Sequence, residues 1–214
     1  MIHLRQGSGV RVALVDYGAG NLTSVRKALA ALGADVVTAH RPADLASVRG
    51  IIVPGVGHFG RTRALDEPWR TAIQDAVAGD AALLGICLGM QWLFEGSGEA
   101  SDLPGLGIFQ GACVHLATNP GGLTSPNLKV PHVGWNGIEQ PRPTALMRGI
   151  EPHAQVYFTH SYVAPPVPET AALTTYGIPF TSAVERGRIA GVQFHPEKSG
   201  DVGLRVLRNW LGAV

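Results

Sequence analysis

Cysteine is scarce in this sequence: Cys87 and Cys113 are the two it has. That is too few for a disulfide scaffold, and no Cys-x-x-Cys pair offers a zinc site. A single disulfide between them stays open, although two thiols in a reducing cytosol fit the count better. Charge is scarce as well. Only 15% of the residues are charged and the formal net charge is +1, so there is no basic stripe of the kind that follows a phosphate backbone. No run reaches the roughly 18 apolar residues of a membrane-spanning helix. The opening residues MIHLRQGSGV have no apolar core with a small-residue cleavage site, so they do not read as a secretory signal. A soluble, cytoplasmic protein is expected, with residues 1–10 as a short extension and residues 11–214 as one domain.

What is abundant is apolar surface and turn residues: 45% of the chain is hydrophobic, with 28 glycines and 15 prolines. Val10–Asp16 reads as a buried strand closed by the turn Tyr17-Gly18-Ala19-Gly20-Asn21. Leu22, Val25, Leu29 and Leu32 recur at helical spacing, with Gly33 as the stop. Strands follow at Asp35–Ala39, Ile51–Val53 and Ala81–Ile86. Short helices fit Pro42–Val48 and Leu88–Phe94, and Trp69, Ile73 and Val77 mark another. This alternation of strand and helix is the pattern of an α/β domain with a mostly parallel sheet covered on both faces. The second half changes character. Gly111–Leu116, Gln155–Val163, Ala171–Tyr176, Thr181–Glu185 and Ile189–Phe194 read as shorter strands, a mixed or antiparallel extension of the same sheet. Ser199 is placed to cap a last helix carrying Val202, Val206 and Trp210 on one face.

Cys87 lies in Gly85-Ile86-Cys87-Leu88-Gly89-Met90-Gln91, between an apolar strand and a helix. A lone buried cysteine is most often a small hydrophobe, and Cys113, within a strand, is read that way. At a strand-to-helix turn, however, a thiol emerges at the sheet's carboxyl edge beside unpaired N–H groups and a helix N-terminus. Glycines at minus two and plus two relieve crowding in such an elbow. His195 follows another apolar strand, Pro196 stiffens the turn, and Glu197 can fold back onto the imidazole. That supplies a nucleophile, a base and an orienting carboxylate in Cys87, His195 and Glu197. His3, His40, His58, His115, His132, His153 and His160 are read as surface or packed residues. A zinc site from His132, His160 and His195 matches no ligand spacing, and no metal or cofactor is expected.

After the third strand, Val53-Pro54-Gly55-Val56-Gly57 allows the N–H groups of Val56 and Gly57 to turn toward a substrate. The amide of Leu88 is the second natural donor to a developing oxyanion. By itself the loop is an ordinary strand exit.

An oxyanion loop with Pro-Gly, a G-x-C-x-G-x-Q elbow and a distal His-Pro-Glu, in that order, resemble the class I, or triad, glutamine amidotransferases over nearly the whole chain. The segments DYGAGNL (16–22), PGVGHFG (54–60), VPHVGWN (130–136), YFTHSY (157–162) and HPEKSG (195–200) are similar to the glutaminase subunits of imidazole glycerol phosphate synthases. That resemblance implies glutamine hydrolysis and a heterodimer with a (β/α)₈ cyclase subunit, in histidine biosynthesis. It also implies a glutamine pocket formed by Gln91 and Glu99 with backbone near Gly55, Gly57, His160, Ser161 and Tyr162. Glu95 is read instead as a charge at a helix end. Asn21, Trp135, Tyr157 and Lys198 are the implied contacts with the partner. Thr159, in place of a branched apolar residue, and the loop insertion Gly121-Gly122 depart from the family pattern. Other readings are the glutaminase of pyridoxal phosphate synthase, which lacks a VPHVGWN-type segment, and a degenerate binding module. The second requires loss of a triad residue, and all three stand.

Overall fold

A computed structural model describes residues 10–118 and 128–214. Residues 1–9 of the expected extension and the Gly121-Gly122 insertion lie outside the described residues.

The first half follows the periodicity of its sequence. Strand β1 (Arg11–Val15), helix α1 (Leu22–Ala31), β2 (Asp35–Ala39), β3 (Gly50–Val53), α2 (Glu67–Ala78), β4 (Ala82–Ile86) and α3 (Leu88–Leu93) come in chain order. Asn21 caps α1 by accepting the Ser24 N–H, and Asp66 caps α2 by accepting the Trp69 N–H. Pro42–Leu45 forms a 3₁₀ turn rather than the longer helix expected to Val48.

Side chains of successive strand residues point to opposite faces, and this divides the core into two layers. Val12, Leu14, Ile52 and Leu84 pack with Val25 and Leu29 of α1 and with the C-terminal helix. Ala13, Val15, Ile51, Val53 and Leu83 pack with Trp69 and Ile73 of α2 and with α3. The strands read as unbroken apolar runs because both faces are covered.

The second half holds β5 (Gly96–Ser97), β6 (Ala112–His115), β7 (His132–Gly137), β8 (Gln155–His160), β9 (Tyr162–Val163), β10 (Thr170–Tyr176), β11 (Ile178–Arg186), β12 (Ile189–Val192) and α4 (Gly200–Leu211). The main sheet runs β10-β11-β12-β4-β3-β1-β2. It is parallel from β12 to β2, with β10 and β11 antiparallel at one edge. The expected extension of the sheet is therefore correct for three strands only. Gln155–Val163 is not one strand; it breaks at Ser161, so that β8 pairs with β7 and β9 with β6 in two small separate sheets. Strand β7 itself was not legible, because Gly134, Asn136 and Gly137 carry weak strand preference. No helix among the described residues is long and apolar enough to cross a membrane.

Candidate active site

The order of strands brings the candidate residues together. β12, β4 and β3 are parallel neighbours, so all three end at the same edge. Cys87 leaves β4 between the His195 turn that follows β12 and the Pro54–Gly57 loop that follows β3.

Cys87 occupies a left-handed backbone conformation, φ 54° and ψ −106°, which costs a non-glycine residue on the order of 1–3 kcal/mol. Its N–H donates to the Val192 carbonyl at 2.7 Å, fixing the elbow to β12. The flanking glycines are required by contact. A Cβ at Gly85 would lie 2.6 Å from the Gly89 backbone, and one at Gly89 would collide with the Val53 carbonyl.

His195 is held from both sides. Its N–H donates to the Tyr157 carbonyl at 2.9 Å, and its carbonyl accepts from the Ser199 hydroxyl at 2.6 Å. The Ser199 oxygen in turn accepts the Tyr157 N–H at 3.0 Å. Ser199 does stand at the head of α4, but its hydroxyl caps no helix N–H there; it ties the His195 turn to β8. The His195 Nδ1 lies 2.9 Å from Glu197 Oε1, with the two side chains 3% and 1% exposed. A carboxylate at Nδ1 fixes the ring so that Nε2 faces away from it, and Nε2 has no hydrogen-bond partner among the described residues. Burial pushes His195 down, but pairing with Cys87 and Glu197 outweighs it and lifts the ring from 6.5 to about 10.

The Cys87 sulfur accepts from Gln193 Nε2 at 3.5 Å and faces the Thr159 carbonyl at 3.9 Å. Since Thr159 contributes its backbone, the departure in its side chain leaves this contact untouched. Gln193, fully buried, was missed in the sequence; a glutamine inside the apolar run Gly191–Phe194 was the signal. Gln91 Nε2 donates to Gln193 Oε1 and to the Tyr162 carbonyl, both at 3.0 Å.

A cavity of about 300 Å³ opens over the sulfur. Of the expected residues, Gly57, Cys87, Leu88, Gln91, Glu99, His160, Ser161 and Tyr162 line it. His58, Pro131 and Thr159 join them without having been foreseen. Gly55 and Val56 do not line the cavity. Glu99 Oε2 accepts the Phe59 N–H at 2.6 Å, which holds the carboxylate in place. Glu95, by contrast, accepts the Gly111 N–H at the exposed end of α3.

The Leu88 N–H, the expected oxyanion donor beside the nucleophile, is not open in this conformation. The Leu88 N–H donates to the Gly55 carbonyl at 3.3 Å, because the Gly55–Val56 peptide presents its oxygen to the nucleophile elbow. Gly57 has φ +92°, a conformation that glycine reaches freely.

Both cysteines are free and buried. Burial, with a smaller effect from Glu99, pushes the Cys113 thiol far up, consistent with a packing role.

Residues 13–213 match the family described as glutamine amidotransferase class-I. The subunit HisH of imidazole glycerol phosphate synthase from Deinococcus radiodurans is 44% identical over 203 residues, covering 93% of this chain and 92% of that protein. The HisH subunit of Thermococcus kodakarensis is 44% identical over 205 residues, covering 93% and 98%. The chain belongs to the HisH family of class I glutamine amidotransferases. Among solved structures, a glutamine amidotransferase superposes with a TM-score of 0.71 at 20% identity, over 96% of this chain and all of that one. PurLQS from Thermotoga maritima gives 0.72 at 17%, over 95% and 98%. At these identities the superpositions speak for the fold of this HisH-family chain alone.

Its remaining expected surface residues fall into two places. Trp135, 56% exposed, packs edge-on against Tyr157 with centroids 6.1 Å apart, and the Lys198 ammonium lies 5.7 Å from the Tyr157 ring. Asn21 instead bonds to Ser24 at the start of α1.

Proposed function

We propose that the chain hydrolyses glutamine to glutamate and ammonia through a thioester on Cys87, as the glutaminase subunit of imidazole glycerol phosphate synthase. The observation that carries the reading is Cys87 in the wall of a cavity of about 300 Å³, at the end of β4 beside the β12 strand whose following turn holds His195 with its Nδ1 on Glu197. Glutamine enters with its carboxamide over Cys87 and its head group against Gln91 and Glu99, and the protein backbone near Gly57, His160, Ser161 and Tyr162 completes the pocket. The Cys87 thiolate attacks the carboxamide carbon, and the oxyanion is received by N–H groups of Leu88 and of Val56 or Gly57. His195 gives a proton to the departing ammonia. Water then cleaves the γ-glutamyl thioester with His195 as base, held by Glu197.

The ammonia passes to a (β/α)₈ cyclase subunit in a cytoplasmic heterodimer. There it reacts with a phosphoribulosyl-formimino carboxamide ribotide to give imidazole glycerol phosphate and an aminoimidazole carboxamide ribotide, in histidine biosynthesis. Trp135, Tyr157, Lys198 and Asn21 are the contact surface, with Lys198 seeking an acidic residue across it. An exposed tryptophan beside a tyrosine and a cation fits the make-up of interface anchors. The chain holds no second catalytic cluster for an acceptor substrate among its described residues, so the ammonia needs a partner.

Because the Gly55 carbonyl occupies the Leu88 N–H, the free subunit is a weak glutaminase, and docking of the cyclase with its ligand turns the peptide. The test is co-purification with a candidate cyclase, then ammonia release from glutamine with and without that subunit and its ligand. Stable association with strong activation is expected. Equal rates refute the coupling, and failure to associate refutes the assignment of the partner.

A further inference from the structure

We propose that His132 and His160 are positioning residues for this site: they form a one-way hydrogen-bond chain that fixes the amides of Gln91 and Gln193 against the Cys87 thiol. The proposal rests on the reading of Cys87 as the glutaminase nucleophile.

The two rings sit opposite each other on β7 and β8, 3% and 7% exposed. His132 Nδ1 is 3.1 Å from His160 Nε2, and His160 Nδ1 is 3.1 Å from the Tyr162 carbonyl oxygen. That carbonyl can only accept, so His160 carries its proton on Nδ1. A neutral His160 then has a bare Nε2, which must accept, so His132 also carries its proton on Nδ1. The bare Nε2 of His132 faces Asn136 Nδ2 at 3.4 Å, a group that can only donate. Every polarity agrees, and a single carbonyl determines them all.

The chain continues into the site. The Tyr162 carbonyl that receives His160 also receives Gln91 Nε2, and the other proton of that amide goes to Gln193 Oε1. Gln193 therefore turns its NH₂ to the Cys87 sulfur. Gln91 is left with its carbonyl oxygen for a ligand. Reversing His160 would set its bare Nδ1 against the Tyr162 oxygen, and reversing His132 would set two bare ring nitrogens against each other; either loosens the carbonyl on which the Gln91 amide rests.

Packing holds the first ring in plane: His132 stacks on Tyr176 at 3.9 Å and on Phe158 at 4.8 Å, tilted 17° and 22°. Both rings stay neutral at ordinary pH. Burial pulls His132 down to about 4, and burial with the neighbouring His132 pulls His160 down to about 3.

Two measurements test the chain. Long-range proton–nitrogen NMR of the histidine-labelled protein at pH 7 should find His132 and His160 both in the Nδ1–H form. A ring in the Nε2–H form, or a charged one, overturns the proposal. The second is glutamine binding by calorimetry on the Cys87→Ala protein in complex with the cyclase. Adding His132→Phe keeps the stack and removes the donor, so affinity should fall roughly 3- to 10-fold, the worth of one such hydrogen bond. His132→Asn, whose amide nitrogen takes the place of Nδ1, should recover most of the loss. No change with His132→Phe, or equal losses with Phe and Asn, overturns a positioning role. If the Cys87→Ala complex binds no glutamine at all, the glutaminase reading falls, while the NMR result still judges the chain by itself.

Discussion

The amide N–H of Leu88 donates to the carbonyl oxygen of Gly55 at 3.3 Å. One loop after β3 thereby closes a donor that the turn after β4 would otherwise aim at a substrate oxyanion. Turning the Gly55–Val56 peptide would free Leu88 and present the Val56 N–H in the same movement. That movement needs room at Gly55, where a Cβ would lie 2.7 Å from Leu88 Cβ and strike the Tyr17 hydroxyl. Gly55→Ala should therefore lower kcat for ammonia release by the cyclase complex about 10²-fold, the scale of one oxyanion donor. Overpacking should also cost about 1–3 kcal/mol of stability. Steady-state kinetics and denaturant unfolding measure both, and an Ala variant with full kcat contradicts the peptide turn.

Glu197 should act on the reaction through the proton of His195. With the carboxylate gone, burial is opposed by Cys87 alone, so the ring's value falls from about 10. Glu197→Gln should move the alkaline limb of the pH–kcat/KM profile to lower pH and reduce kcat roughly 10²- to 10⁴-fold. Stability follows the same linkage. A histidine raised from 6.5 to about 10 contributes stability fully present below pH 6.5 and lost as pH rises toward 10. Denaturant midpoints of the parent should decline across that window, and those of Glu197→Gln should decline less. Parallel curves contradict the pairing.

Tyr17 holds a buried hydroxyl with no hydrogen-bond partner among the described residues, packed against Gly55. Burial first, then the charge of Cys87, raises its phenol well above the ordinary value, partly offset by Arg61. An unsatisfied buried hydroxyl costs on the order of 1–3 kcal/mol. Tyr17→Phe should therefore stabilise the chain by about 1 kcal/mol, a rise of roughly 2–4 °C in Tm for a domain of this size. Calorimetry checks it; a lower Tm means that the hydroxyl has a partner.

The parallel half of the fold was legible because its physics is local. Apolar runs of strand length, helical periodicity and a glycine stop stand in the sequence at Asp35–Ala39, Leu22–Leu32 and Gly33, and the structure follows them. The candidate triad was legible because Cys87 and His195 each follow an apolar strand. That those strands are neighbours is a property of the sheet order and not of either segment. What stayed hidden depends on distant partners. Ser161 breaks a strand only because β7 and β6 compete for its two flanks. Ser199 looks like a helix cap, yet its hydroxyl is drawn to His195 and Tyr157. Gln193 reads as one polar residue in an apolar run until Gln91 and Cys87 are placed beside it.

The central claim is that Cys87 carries the glutamyl group. Mass spectrometry of the cyclase complex, acid-quenched during turnover with glutamine, should find one glutamyl addition on the peptide containing Cys87. The Cys87→Ala complex should show none and release no ammonia from glutamine, while still cyclising with added ammonia. An adduct on Cys113, or glutamine-dependent ammonia release by Cys87→Ala, would contradict the account.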